Sequence, residues 1–318
     1  MKGDLMPSLE FKRIELSDKE IVNNFLNKTN SNSCQMTFAN LFCLREKYNT
    51  EICVRDNVLF IRQKNRNFGG ENNQIAYFVP IPIGTGNLES AINLIIEISR
   101  KEGHRPYFFA VTDDTKDELE KLDKFEFCIE EQEDWAEYIY KSEKLVDFSS
   151  SDLSKQRRAV NRFWNLYGEE TRIERISESN IKQLLKYQSK WLKENIERNM
   201  DSDSLIKENV SICNALENFN ELDLEGIIIF VGKSIRGYGY GTILPGGAFD
   251  IIAQKGDISY QQIYKVVLQE HVKTYYERAE LTNMEEDIGL IGLRRSKTRY
   301  RPESVSYTHL RAHETPEH

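Results

Sequence analysis

The order of elements in this chain is written twice, and that recurrence constrains the fold more than any single motif. In the first half, "EICVRDNVLFI" places two apolar runs around Asp56-Asn57, which predicts a hairpin. "IAYFVPI" follows as a strand, then Gly84 and Gly86, then "NLESAINLIIEISRKEG" with Leu88, Ala91, Ile92, Ile95 and Ile98 at helical spacing. "PYFFAVT" closes the set as a further strand. The second half runs in the same order. "EGIIIFVGKSIRGYGYGTIL" is a hairpin turning near Lys233-Ser234, "GAFDIIAQ" a strand, "SYQQIYKVVLQEHVKTYYERA" a long helix, and "ELTNMEED" a strand entering a loop. Phe109 aligns with Leu281 at an offset of 172, and Leu94 with Tyr264 at 170. A near-constant offset with slight residue identity predicts a duplicated mixed α/β unit, with domains over 1–145 and 146–303.

Three local signals refine this plan. Ser17-x-x-Glu20 predicts a capping box opening the first helix. Gly237, Gly239 and Gly241 alternate within a strand with no GK[ST] after them, so they predict a bare strand face and not a nucleotide loop. The last stretch, "SVSYTHLRAHETPEH", has no apolar periodicity and resembles translated adapter sequence, so residues 304–318 are expected to be a non-native tail outside the fold.

Composition excludes several classes. A chain of 318 residues with 39% apolar residues can bury a large core. No apolar run approaches the ~20 residues of a membrane helix, and Met1 is not followed by a signal-peptide pattern, so a cytoplasmic protein is expected. The five cysteines are scattered without CxxC pairs and read as reduced, structural thiols. Only His104 and His271 lie outside the last ten residues, and neither has a ligand-spaced partner, so neither a metal site nor a Ser-His-Asp engine is expected.

Charge separates the two copies. Residues 113–134 hold 11 acidic and 3 basic residues, a net of −8 that equals the charge of the whole chain. The matching region of the second copy is "NMEEDIGLIGLRRSKTRYRP". Here Glu285, Glu286 and Asp287 precede Arg294, Arg295, Lys297, Arg299 and Arg301. Anion-binding chemistry is therefore expected in the second half. The connecting "SKQRRAVNRFWNLYG" reads as a helix burying Val160, Phe163 and Tyr167 and exposing Lys155, Arg158 and Arg162. Arg157 and Asn161 fall on its border, where a side chain can make specific hydrogen bonds.

These stretches resemble the C-terminal domain of bacterial phosphatidylglycerol lysyltransferases and their soluble relatives. "MTFANLF" (36–42) is similar to the family's Thr-Phe-x-Asn-Leu, and "EYIY" (137–140) to its Asp-Tyr-Ile-Tyr. "QRRAVNRF" (156–163) matches at Arg157, Asn161 and Phe163. The terminal motif is the most specific, matching at Asn283, Glu285, Asp287, Gly289, Leu293, Arg294, Lys297, Tyr300 and Pro302. The resemblance spans residues 9–302 and implies two tandem GNAT-like acyltransferase domains. It implies transfer of an amino acid from aminoacyl-tRNA to a lipid headgroup, with no cofactor beyond that co-substrate. In "IIAQKGD", Gln254 stands where the family's Glu is expected, and Lys255 is kept.

An aminoacyl ester is already activated. Its transfer needs a close acceptor, a proton acceptor, and donors facing the developing oxyanion. Glu285 and Asp287, alternating on an extended segment, are expected to face one side, one of them as base; Tyr300 and Lys255 complete the catalytic candidates. Arg294 and Lys297 are expected to share a helical face and hold a phosphate or tRNA end, together with Arg157, Asn161 and Asn283. An acyl-CoA-dependent N-acyltransferase and a non-catalytic binding module remain as alternatives, as does a solvated salt-bridge cluster worth only ~0–1 kcal/mol per pair.

Overall fold

The computed structural model describes residues 8–68, 71–129, 133–198, 202–306 and 309–314. In chain order the first half supplies β1 (Lys12–Arg13), α1 (Lys19–Leu26), α2 (Phe38–Cys43), α3 (Arg45–Tyr48), β2 (Thr50–Arg55), β3 (Val58–Phe68), β4 (Glu71–Phe78), β5 (Ile81–Pro82), α4 (Leu88–Lys101), β6 (Tyr107–Phe109), α5 (Asp113–Leu119) and β7 (Phe125–Ile129). The second half supplies β8 (Glu137–Lys141), α6 (Ser142–Asp147), α7 (Ser154–Tyr167), β9 (Thr171–Arg175), α8 (Glu178–Ile196), α9 (Ser202–Glu217), β10 (Glu225–Val231), β11 (Ser234–Ile243), β12 (Phe249–Gly256), α10 (Ile263–Val272), β13 (Leu281–Glu286), α11 (Ile291–Thr298), β14 (Ser304–Ser306) and β15 (His309–Glu314). The chain divides into two compact units, residues 1–135 with 307–318, and residues 136–306.

Each unit is a mixed sheet with helices, and the two sheets share one plan. The first runs β1-β2-β3-β4-β6-β15-β7, with β5 beside β3; the second, read from its far edge, runs β9-β10-β11-β12-β13-β8-β14. In each, an antiparallel meander leads to one parallel pair: β4 with β6 through Tyr77↔Phe108 and Phe78↔Phe109, and β12 with β13 through Phe249↔Thr282 and Asp250↔Asn283. A parallel pair needs a long crossover, and α4 and α10 supply it. The offset is 172 from Tyr77 to Phe249 and 174 from Phe108 to Thr282, so Asp113 corresponds to Asp287.

Local chemistry explains most elements. Asp56 and Asn57 both take positive φ (50° and 58°), as the mirror-image two-residue hairpin turn requires. α4 buries Ala91, Ile92, Ile95 and Ile96 on one face, where each isoleucine contributes roughly 1.5–3 kcal/mol. The bare face of β11 receives α10: a Cβ on Gly237 would stand 2.7 Å from Val267, and one on Gly239 3.2 Å from His271. Close helix approach, not a ligand, accounts for that alternation.

Four expectations change. The N-terminal capping box is Glu15 with Asp18, two residues earlier than Ser17 with Glu20, because a short 3-10 turn over Leu16–Asp18 precedes α1. The second crossover helix is shorter than its amphipathic pattern, since 258–262 and 273–278 lie in turns and bends. The units divide between Trp135 and Ala136, not after 145, because β8 pairs with β13 in the second sheet. Of residues 304–318, expected outside the fold, 304–306 supply β14 beside β8 and 309–314 supply β15 between β6 and β7, while 307–308 and 315–318 lie outside the described residues. Each sheet thus sets an antiparallel strand, β15 or β8, beside its parallel pair, and β15 comes from the far end of the chain.

Candidate functional site

Beyond the pair Asp250↔Asn283, β12 continues to Gly256 while β13 turns away to pair with β8. Among the described strands, Ile251–Gly256 pair with β11 alone, so a gap opens between two diverging strands, and the Gly256 carbonyl at its far end accepts Trp191 Nε1 at 3.1 Å. The first unit has no such arm: β4 ends at Phe78, inside its parallel pair, and Pro80 and Pro82 follow.

β13 diverges through a bulge. Its pairing with β8 steps from Asn283↔Ile139 to Glu286↔Glu137, which leaves one extra residue on β13. Glu285 takes φ 57°, a conformation that costs a non-glycine residue about 1 kcal/mol or more. Asn283 offsets this by accepting the Glu285 N–H at 2.7 Å, and its amide donates to Glu137. Lys297 is buried and donates to the Glu285 carbonyl at 3.1 Å and to the Glu286 carbonyl. The bulge breaks the strand's alternation, so Glu285 and Asp287 do not share a face by period two. Lys297 turns inward onto backbone, whereas the i, i+3 spacing suggested a shared anion-facing surface with Arg294.

Asp287 is completely buried and accepts four hydrogen bonds. Oδ1 takes Gly289 N–H at 2.9 Å and Arg294 Nη2 at 3.1 Å; Oδ2 takes Arg294 Nε at 2.8 Å and the Tyr138 hydroxyl at 2.5 Å. Burial alone would raise its pKa, but the bonds from Arg294, Tyr138 and Gly289 hold it below the usual carboxylate value. Burial and the Asp287 contact push the Tyr138 phenol up to about 12, so it stays a donor. Arg294 is held by two prongs with its side chain 37% exposed.

At the apex of the gap lies Asp250, also completely buried. Burial first, then Glu285, Glu137 and Glu286, raise its pKa well above the carboxylate range, with Lys297 opposing. Four carboxyl groups thus surround the point where the strands part. The sequence reading missed Asp250, Glu137 and Tyr138. A lone Asp inside the apolar "AFDII" was the available signal for the first; the other two stood in "EYIY".

The remaining candidates lie apart. Lys255 is five residues along the other arm, paired to Glu208 at 2.6 Å and 4.5 Å from the Trp191 ring. Gln254 donates to the Tyr264 carbonyl at 2.9 Å. Arg157 donates to the carbonyls of Phe148 and Ser149 at 2.6 and 2.9 Å, closing the loop before α7. Asn161 is exposed beyond the border position its helical spacing indicated. Tyr300 is buried, its ring 5.8 Å from Phe148, in the core and not at a surface where a base could stack. The structure brings together Asn283, Glu285, Asp287, Arg294 and Lys297, and turns Lys255 to Glu208, Arg157 to the loop before α7 and the Tyr300 ring to the core.

Three comparisons bear on this arrangement. The family model described as phosphatidylglycerol lysyltransferase, C-terminal, matches residues 26–308. A conserved protein of unknown function from Bacteroides thetaiotaomicron has a similar structure, with TM-score 0.85 and 27% identity over 97% of this chain and 100% of that one. The structure of L-PGS from Bacillus licheniformis is similar in fold, with TM-score 0.60 and 12% identity over 95% of this chain and 93% of that one. An uncharacterized protein of Mycoplasmoides gallisepticum is 22% identical over 174 residues, and the match spans 54% of that protein's length. No helix among the described residues is long and apolar enough to cross a membrane.

Proposed function

The chain belongs to the phosphatidylglycerol lysyltransferase C-terminal family, and from that premise we propose that its second unit moves an aminoacyl group from aminoacyl-tRNA to a lipid headgroup or another small acceptor. The observation that carries this reading is the Arg294 guanidinium, locked on buried Asp287 at the end of one arm of a gap whose apex is lined by carboxyl groups.

In this reading Arg294 holds negative charge: a phosphate of the donor's 3′ end, or the oxyanion that forms as the acceptor attacks the ester carbonyl. A pre-placed cation needs no reorganisation at that moment. Asp287, with every acceptor position filled, positions Arg294 and does not take a proton. Proton transfer falls to the carboxylate cluster. Half-buried Glu285 meets the acceptor, and Asp250 binds protons more tightly than an ordinary carboxylate, the direction a proton acceptor needs. The proton leaves the acceptor's hydroxyl or amine, the new ester or amide bond forms, and the tRNA 3′ oxygen departs with a proton. Asn283 and Lys297 hold the bulge that presents Glu285. The tandem GNAT-like character implied by the motifs fits the diverging parallel strands. That gap also favours one second reading: an acyl-CoA donor whose extended arm pairs with the open edge of Ile251–Gly256.

Incubating the protein with labelled aminoacyl-tRNAs and a lipid extract, beside acyl-CoA with amine acceptors, separates the two donors. Arg294→Ala should weaken donor binding by roughly 1.5–3 kcal/mol, the range for a hydrogen bond to a charged group. Transfer from neither donor, or unchanged binding by Arg294→Ala, overturns the proposal.

A further inference from the structure

Immediately after Asp287 the chain exposes an apolar tip. Ile288, Leu290, Ile291 and Leu293 are 45, 53, 67 and 40% exposed. Single exposed apolar residues are ordinary, as Leu166 and Ile258 are here, but four within six residues are not. Ile288 is moreover a β-branched residue at φ 47°, a conformation such residues avoid. The turn is tied to the site, since Asp287 Oδ1 accepts Gly289 N–H at 2.9 Å and its carbonyl accepts Leu290 N–H at 2.9 Å.

Charge indicates what covers the tip. Residues 288–302 contain five cations and no carboxylate. Arg294 is turned onto Asp287 and Lys297 onto the bulge, while Arg295, Arg299 and Arg301 are exposed. On α11 Ile291, Arg295 and then Arg299 follow one face, about 6 Å apart along the axis at ~1.5 Å per residue. A bilayer's headgroup layer is only roughly 5–7 Å deep on each side. With Ile291 at the acyl boundary, Arg295 therefore reaches the phosphates and Arg299 the outer rim. Gln156 of α7 donates to the Arg299 carbonyl at 2.7 Å, which sets the exposed Lys155 and Arg158 of that helix beside the same rim.

We propose that residues 288–293 seat in the headgroup–acyl boundary of an anionic lipid bilayer, with Arg295 on its phosphates and Arg299 and Arg301 along the outer rim. The inference extends the lipid-acceptor reading, and because vesicle binding is measured without any donor the two fail separately. The full chain is sedimented with vesicles of phosphatidylglycerol mixed into phosphatidylcholine, and with phosphatidylcholine alone. Binding to the anionic vesicles only, weakening with salt, is expected. Leu290→Ser with Ile291→Ser should lower it at least ten-fold, and Arg295→Gln and Arg299→Gln about five-fold each. Leu166→Ser, an exposed apolar change elsewhere, should lower nothing. The melting temperature should not move, since the substituted side chains are exposed. Ile291→Trp gives an independent readout, a blue-shifted emission on adding vesicles. Absence of wild-type binding, serine variants that bind as wild type, or no emission shift overturns the proposal. So does a wild-type dimer that Ile291→Ser converts to monomer, which would assign the tip to a second copy of the chain.

Discussion

Replacing Asp287 by Asn tests whether that carboxylate is the framework of the site or its proton acceptor. The side chain is fully buried, and its two oxygens accept four donors, two of them from one guanidinium. Asn keeps one acceptor oxygen and turns an NH2 toward two donors. The Tyr138 hydroxyl can rotate and accept from it; the Arg294 N–H cannot. At least one charge-assisted bond is lost, at about 1.5–3 kcal/mol, and the buried neighbour left opposed adds about 1 kcal/mol more. Arg294, at 37% exposed, recovers part of the loss from water. The net expectation is about 2–4 kcal/mol, on the order of 5–10 °C in melting temperature for a unit of this size. Melts of Asp287→Asn, Arg294→Gln and the double variant form a cycle whose coupling should exceed about 1.5 kcal/mol. In transfer assays the double variant should be no slower than Arg294→Gln alone. A coupling below about 0.5 kcal/mol, or turnover losses that multiply, would refute the positioning role and return Asp287 to the proton-transfer step.

Two further expectations concern the second unit. His271 is buried edge-on to Phe249 and Tyr275, and burial depresses its pKa to about 4, with Glu225 opposing. The folded protein therefore binds this proton only near pH 4, whereas the unfolded chain binds it near pH 6.5. The resulting stability is present above pH 6.5 and should fall by about 2–3 kcal/mol on acidification to about pH 4.5. Urea midpoints across that range should flatten in His271→Gln, and an unchanged slope would exclude His271 as the source. Gly241→Ala should block folding or cost more than about 3 kcal/mol, because its Cβ would stand 1.8 Å from the Asp250 carbonyl. Gly292→Ala, with nothing within 4 Å of its Cβ, should instead stabilise α11 by about 0.5–1 kcal/mol; melts of the two variants that move in the same direction would contradict this.

The sequence by itself determined the elements and their duplication. Apolar period and turn chemistry act over a few residues, so the Asp56-Asn57 hairpin, the buried face of α4 and the two crossovers were all legible. It also determined that acids and cations meet in the second copy. Which strand lies beside which, and which charge meets which, only the tertiary structure decided. "EYIYK" reads as a strand in either half, since period two says nothing about the partner edge; pairing with β13 gave it to the second sheet. Arg294 and Lys297 are equivalent by helical spacing. The bulge at Glu285 made them different, directing Lys297 to backbone carbonyls and leaving Arg294 on Asp287. Asp250 and Glu137 enter from separate strands, so no local pattern joins them to the terminal motif. Their coupling arises from burial at one point of strand divergence, a consequence of long-range pairing that short-range propensity does not encode.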